Sequence, residues 1–357
     1  MLTFSETELC LLTLLRRVLG NSAHLPENHS GVFNCKDWNG LLELAAAQGV
    51  LAVAKEGLTE REWHMIPAEL KIRWQLSVER IESRYHRQKG AYVKLLELFS
   101  ANGIRVQLLK GIRISEYYPE PSHRECGDID IFLFDDYDKG NSLIEQQGIK
   151  VDRTGFKHSK FRFCGVTVEN HKNLLNVALN KYDRTLEPLL RKLARENNNP
   201  DFHLLFNIRH MIVHLMSSGL VLRHLADLYL LMKRERINFE KVTEILKESR
   251  QFLMFGHIVH LISECFADKS VLEPLGEFPK DENVLARLYE DTFRNIVEKP
   301  QTAQLPAMSV ARRKILGAKG ILRAKWKYDL IEKGYFFKEF IKRIGYAFKI
   351  YRHKVKL

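Results

Sequence analysis

Residues 108–133 read LLKGIRISEYYPEPSHRECGDIDIFL, and the end of that stretch decides the fold. Asp128–Phe134 (DIDIFLF) is the strongest strand in the chain. Its period of two puts the Asp128 and Asp130 carboxylates on one face and sends Ile129 and Ile131 into a core. Upstream, the Asn102-Gly103 turn leads into a second strand, Ile104–Leu109, which runs into Lys110-Gly111. Gly111–Tyr118 reads as a short helix closed by Pro119 and Pro121. Downstream lie a loop and helix (Asp135–Gln147) and further strand candidates at Lys150–Arg153, Phe161–Cys164 and Val166–Glu169. An α/β block is therefore expected at 101–180.

Helices are expected on both sides of it. Residues 1–100 begin with Ser5 and Glu8 as a capping box ahead of Leu11, Leu12, Leu14 and Leu15, then show helical spacing at Trp38–Gln48, Ala68–Gln75 and Val78–Ser100. Residues 181–299 give helical patterns at Leu186–Glu196, His203–Ser217, Val221–Lys233, Phe239–Lys247 and Phe252–Phe266. Residues 300–357 hold a linker, Pro300–Pro306, and a basic aromatic tail. The fold class is α+β, a small mixed sheet flanked by helical segments.

The chain has 357 residues, 45% apolar and 10% aromatic, which excludes global disorder and low complexity. Its apolar runs are too short or too interrupted by charge for a membrane span. The opening MLTFSETELC lacks the basic region of a secretory signal, and five scattered cysteines without a C-x-x-C pair fit a reduced compartment. The location expected is cytoplasmic. Residues 311–357 carry 15 Lys/Arg against three acids, and the rest balances at 41 of each sign. Phe337, Phe340, Ile341, Ile344, Phe348 and Tyr351 share one helical face of this tail. Three partners suit it: the protein's own body, an anionic membrane surface at the inner face, or a nucleic acid or other polyanion.

Two carboxylates on one face of an apolar strand repel each other and call for a cation. Paired carboxylate oxygens suit Mg²⁺, which takes its remaining ligands from water and substrate phosphates. A D-x-D triplet alone is weak, and Asp136-Tyr137-Asp138 is a second one with no apolar approach. The surroundings strengthen the first. Glu169 ends a strand able to lie beside Asp130, and Lys110-Gly111 offers a cation and an open backbone to a phosphate. Three carboxylates around two metals, facing a phosphate turn, are what phosphoryl or nucleotidyl transfer needs. No H-E-x-x-H, Walker or G-x-G-x-x-G motif occurs.

The quoted stretch, together with VTVENH (166–171) and RHMIVHLMSSGLVLRHLADLYLLM (209–232), resembles the uncharacterised bacterial nucleotidyltransferase family of the polymerase-β-like superfamily. The matching elements are Lys110-Gly111, Tyr118-Pro119, Arg124, Asp128-Ile129-Asp130, Glu169-Asn170-His171, His214 and Asp227. The resemblance covers residues 80–240 and implies that Asp128, Asp130 and Glu169 bind two Mg²⁺ ions and an NTP. It also implies that Lys110, Gly111 and Arg124 contact phosphates, Arg124 as a two-pronged donor. An acceptor hydroxyl would then attack the α-phosphate with loss of pyrophosphate. The chain departs from the superfamily at the phosphate turn, where Gly111-Ile112 replaces Gly-Ser or Gly-Gly and 16 residues separate Gly111 from Asp128. Lys110 is the substitute anchor.

The accessory residues have plainer readings too. His171 either serves the site or bonds locally. His203, His210 and His214 recur on one helix face, but zinc would want closer ligands and a further His or Cys, so they read as packing histidines. Asp227 either pairs with Arg223 one turn back or reaches the nucleotide or acceptor. Glu125 reads as a solvated loop acid. The function expected is Mg²⁺-dependent NMP transfer from NTP to a hydroxyl acceptor. The alternatives are a catalytically silent binding or scaffold relative, and an RNA-end-modifying enzyme guided by the tail.

Overall fold

A computed structural model describes residues 2–20, 35–155, 157–177, 180–196, 198–294, 325–331 and 336–337. Helix α1 (Glu6–Leu19) starts at the capping box: Glu8 N–H donates to Ser5 Oγ at 3.3 Å, and Ser5 N–H to Glu8 Oε2 at 2.6 Å. Helices α2 (Trp38–Ala47), α3 (Leu51–Glu56) and α4 (Glu60–Met65) follow. The last two escape the sequence pattern because six residues are too few for a helical period to register.

Helix α5 (Ala68–Ala101) is a single 34-residue helix where the spacing suggested two. Ser77, in the apparent gap, donates its hydroxyl to the Arg73 carbonyl, so the polar residue does not interrupt the ladder. Trp74, Val78, Tyr85, Gln88, Ala91, Leu95 and Phe99 make one buried stripe along it.

The sheet contains β1 (Gln107–Leu108), β2 (Ile129–Phe132), β3 (His158–Phe163) and β4 (Val166–His171) in the order β1-β2-β4-β3. Short helix α6 (Ile112–Ser115) follows β1, and α7 (Tyr137–Gln146) lies between β2 and β3. β2 and β4 run parallel while the other two pairs are antiparallel. Lys150–Arg153 contributes only an isolated bridge, Asp152 to Lys160, rather than a strand. Alternation divides the sheet's neighbours between two apolar cores: Ile129, Ile131, Leu133, Phe161, Val166 and Val168 pack in one, Phe132 and Phe134 in the other.

Beyond the sheet come α8 (Lys181–Arg195), α9 (Pro200–Ser217), α10 (Leu222–Arg234), α11 (Phe239–Glu248), α12 (Phe252–Phe266), α13 (Glu282–Phe293) and α14 (Lys325–Asp329). Among the described residues no helix is long and apolar enough to cross a membrane. In the tail, Tyr328, Ile331 and Phe336 are buried in the larger core, whereas Phe337 is exposed. Lys327 lies buried against Asp291 and the Leu215 carbonyl. The linker Pro300–Pro306 and the face from Phe340 onward lie outside the described residues.

Candidate active site

The sheet register brings the acids together. In the parallel β2–β4 pair, Asp130 lies opposite Glu169, so both side chains leave the same face. Asp128 precedes β2 by one residue and shares that face. One carboxylate oxygen from each of Asp128, Asp130 and Glu169 lies within 4.8 Å of the others. All three line a cleft of about 320 Å³, together with Lys110, Gly111, Arg124, Asp227 and three histidines of α9 and α10.

Each acid has its own environment. Burial alone would raise the Asp130 carboxyl, but Lys110 and His171 outweigh it and hold it low. Lys110 Nζ stands 3.2 Å from Asp130 Oδ1. The His171 imidazole, kept neutral by burial, donates Nε2–H to the same oxygen at 3.0 Å. The other oxygen, Oδ2, is buried with no hydrogen-bond partner among the described residues. An ionised oxygen left in that state is costly unless a cation meets it. The donor set therefore fits a divalent ion: oxygen-only, three carboxylates, one oxygen unpartnered.

Glu169 is likewise held low, burial being outweighed by Lys160, whose Nζ is 2.6 Å from Oε1. His158 Nε2 lies 3.4 Å from that oxygen. The sequence reading passed over both partners, although a signal exists. Cys164 and Gly165 both have positive φ (48° and 77°), as a two-residue hairpin loop requires. Counting back from such a turn places Lys160 directly opposite Glu169.

Asp128 behaves differently. Burial first, then the Asp130 charge, pushes its carboxyl up to about 6. The folded state thus holds this proton more tightly than the unfolded chain, which favours folding in acid. That advantage is lost as pH rises through about 6. Screened by solvent, the cost at neutral pH is about 1–2 kcal/mol. Without added metal, Asp128→Asn should therefore melt a few degrees above the parent protein at about pH 7 and lose most of that advantage only by about pH 4, near the ordinary carboxyl value of 3.8. Thermal scans at both pH values check this; an equal difference at both would contradict it.

Gly111 meets a strict backbone demand. It caps α6 with φ 66° and ψ −110°, a region closed to other residues. A Cβ there would stand 3.6 Å from the Asp128 carbonyl oxygen.

Three motif residues, two from one loop and the third about a hundred residues on, form one buried group. Arg124 Nε and Nη2 donate to Asp227 Oδ1 and Oδ2 at 2.9 and 2.6 Å, and Tyr118 Oη–H donates to Asp227 Oδ1 at 2.8 Å. The two-pronged guanidinium expected at a phosphate is thus engaged by Asp227, and Asp227 pairs with Arg124 rather than Arg223. Arg223 instead donates to the Glu125 backbone carbonyl at 2.6 Å. The Glu125 side chain is itself largely out of water, and burial raises its carboxyl. The Tyr118–Arg124–Asp227 group clamps the loop that delivers Asp128 onto α10. His214 reaches the same cleft from α9; His203, buried elsewhere on that helix, does not line it.

Residues 34–267 match the family described as uncharacterised nucleotidyltransferase. The chain belongs to that family. The nucleotidyltransferase match spans α2 through α12 and includes every cleft residue named above. No curated protein and no solved structure matches the chain.

Proposed function

We propose that the protein is a Mg²⁺-dependent nucleotidyltransferase that moves a nucleoside monophosphate from an NTP to a hydroxyl acceptor, with release of pyrophosphate. The observation that carries this reading is the convergence of the Asp128, Asp130 and Glu169 oxygens in one cleft beside Lys110 and Gly111. These three acids would hold Mg²⁺, which when bound neutralises charge on the attacking and leaving oxygens and eases loss of the acceptor proton. His171 fixes the Asp130 carboxylate through Oδ1 and leaves Oδ2 for a cation. Lys110, paired with Asp130 and next to Gly111 in the cleft, would be the cation that meets phosphate oxygens there. The Gly111 backbone, at positive φ and without a Cβ, would permit close approach of the triphosphate. Arg124 acts by positioning: its fork holds the Asp128 loop through Asp227.

The test is incubation with Mg²⁺ and each α-labelled NTP, with and without cell extract, followed by tracing of the label and of pyrophosphate. Transfer that depends on Mg²⁺ supports the reading; absence of transfer with every NTP and extract counts against it. A second reading, a silent scaffold, draws on Lys110 and Lys160 already neutralising two of the acids. It expects nucleotide or partner binding with no pyrophosphate released.

A further inference from the structure

The histidines of the cleft form a second constellation on a different wall. His210 and His214 lie one turn apart on α9, with ring centroids 4.4 Å apart. His224 comes from the first turn of α10, its ring 4.6 Å from His214 and 6.3 Å from His210. One ring nitrogen of each falls within 4.8 Å of the other two. The i, i+4 spacing is the one with which a helix presents two imidazoles to a zinc ion. The reading of these as packing histidines is thereby revised: the further ligand that α9 alone lacks is supplied by His224 of the neighbouring helix.

We infer that His210, His214 and His224 form a site for a zinc-class transition metal, with a fourth position open to water. Imidazole nitrogens select zinc-class ions, whereas the carboxylates across the cleft suit Mg²⁺, so the two sets sort metals by chemistry. Three protein ligands and an open position are the pattern of a reactive rather than a closed structural zinc site. An ion at the centre would draw the nitrogens to about 3.3 Å apart, a movement within reach of imidazole rotation.

The charge state agrees. Burial, reinforced by Lys110 for His210 and by Arg223 for His224, holds both imidazoles well below their ordinary range. They are neutral at physiological pH, so they suit a metal and not an anion. His214 Nδ1 lies 3.2 Å from Ser218 Oγ, a partner able to orient the ring. His224 Nδ1 accepts a long 3.3 Å bond from Val221 N–H; ligation through Nε2 moves the ring proton to Nδ1 and gives up that bond.

The inference stands apart from nucleotide chemistry and is tested without it. The untagged full chain is dialysed against Zn²⁺, its bound metal is counted, and Co²⁺ is substituted as a visible probe. One tightly held zinc per chain is expected, with the intense bands of four-coordinate Co²⁺, both retained in Asp128→Asn. Zinc affinity should fall at least about a hundredfold in His214→Asn, a half-buried cleft position, with circular dichroism reporting an intact fold. Weak six-coordinate cobalt bands, no tight zinc, zinc retained in a folded His214→Asn protein, or zinc lost in Asp128→Asn would each overturn the site. The cobalt spectrum of the unaltered chain decides the matter even if the variant does not fold. Zinc binding without nucleotide transfer would keep the histidine site and remove the proposed transfer.

Discussion

Asp130→Asn is expected to lower nucleotide transfer by about a thousandfold or more, because it removes one charge and one oxygen from the proposed metal set. About 4 kcal/mol of transition-state stabilisation corresponds to that factor. The Asn amide keeps the shape and can still accept from the His171 Nε2–H now bonded to Oδ1, so the fold should persist. Steady-state rates across a Mg²⁺ titration separate the contributions: a loss that high Mg²⁺ partly restores marks a weakened metal site. Retention of transfer within about tenfold would exclude Asp130 from the chemistry.

The largest effect on stability is expected from Asp227→Ala. The Arg124–Asp227 pair is nearly solvent-free, with side-chain exposures of 7% and 6%. Removing the acid leaves a guanidinium buried without its counter-charge, a loss of about 3–5 kcal/mol. That is a large share of the ~5–15 kcal/mol that holds an ordinary domain. Tyr118→Phe, which deletes one neutral donor from the same carboxylate, should cost less, about 1.5–3 kcal/mol. Arg124→Met combined with Asp227→Leu should recover much of the loss, because no unpaired charge remains. Urea unfolding of the four proteins checks the ranking. An Asp227→Ala protein as stable as its parent would show that the pair is dispensable.

How far the chain could be read follows from how local each feature is. The alternation of DIDIFLF announces the paired acids, and that pattern is complete within seven residues. The proximity of Glu169 depended on β4 docking parallel to β2, which the strand pattern permits without dictating; the register turned out residue-for-residue favourable. Pairings across long separations were beyond reach. Arg124 and Asp227 are 103 residues apart, and the helical i, i+4 rule pointed to Arg223 instead. His224 was missed for the same reason, since periodicity describes one helix and says nothing of its neighbour. β1 is shorter than the Ile104–Leu109 run that announced it: only Gln107 and Leu108 pair with β2, and residues 104–106 have no ladder partner among the described residues.

The long helix α5 has a consequence for inheritance. Its first half contributes Trp74 and Val78 to one apolar core, and its second half contributes Ala91, Leu95 and Phe99 to the other. A recombination event that joined the sheet of one relative to the leading helices of another at residue 100 would split complementary surfaces that had diverged together. Chimeras should therefore tolerate a crossover poorly at that point and better where α5 travels whole with the strands it covers.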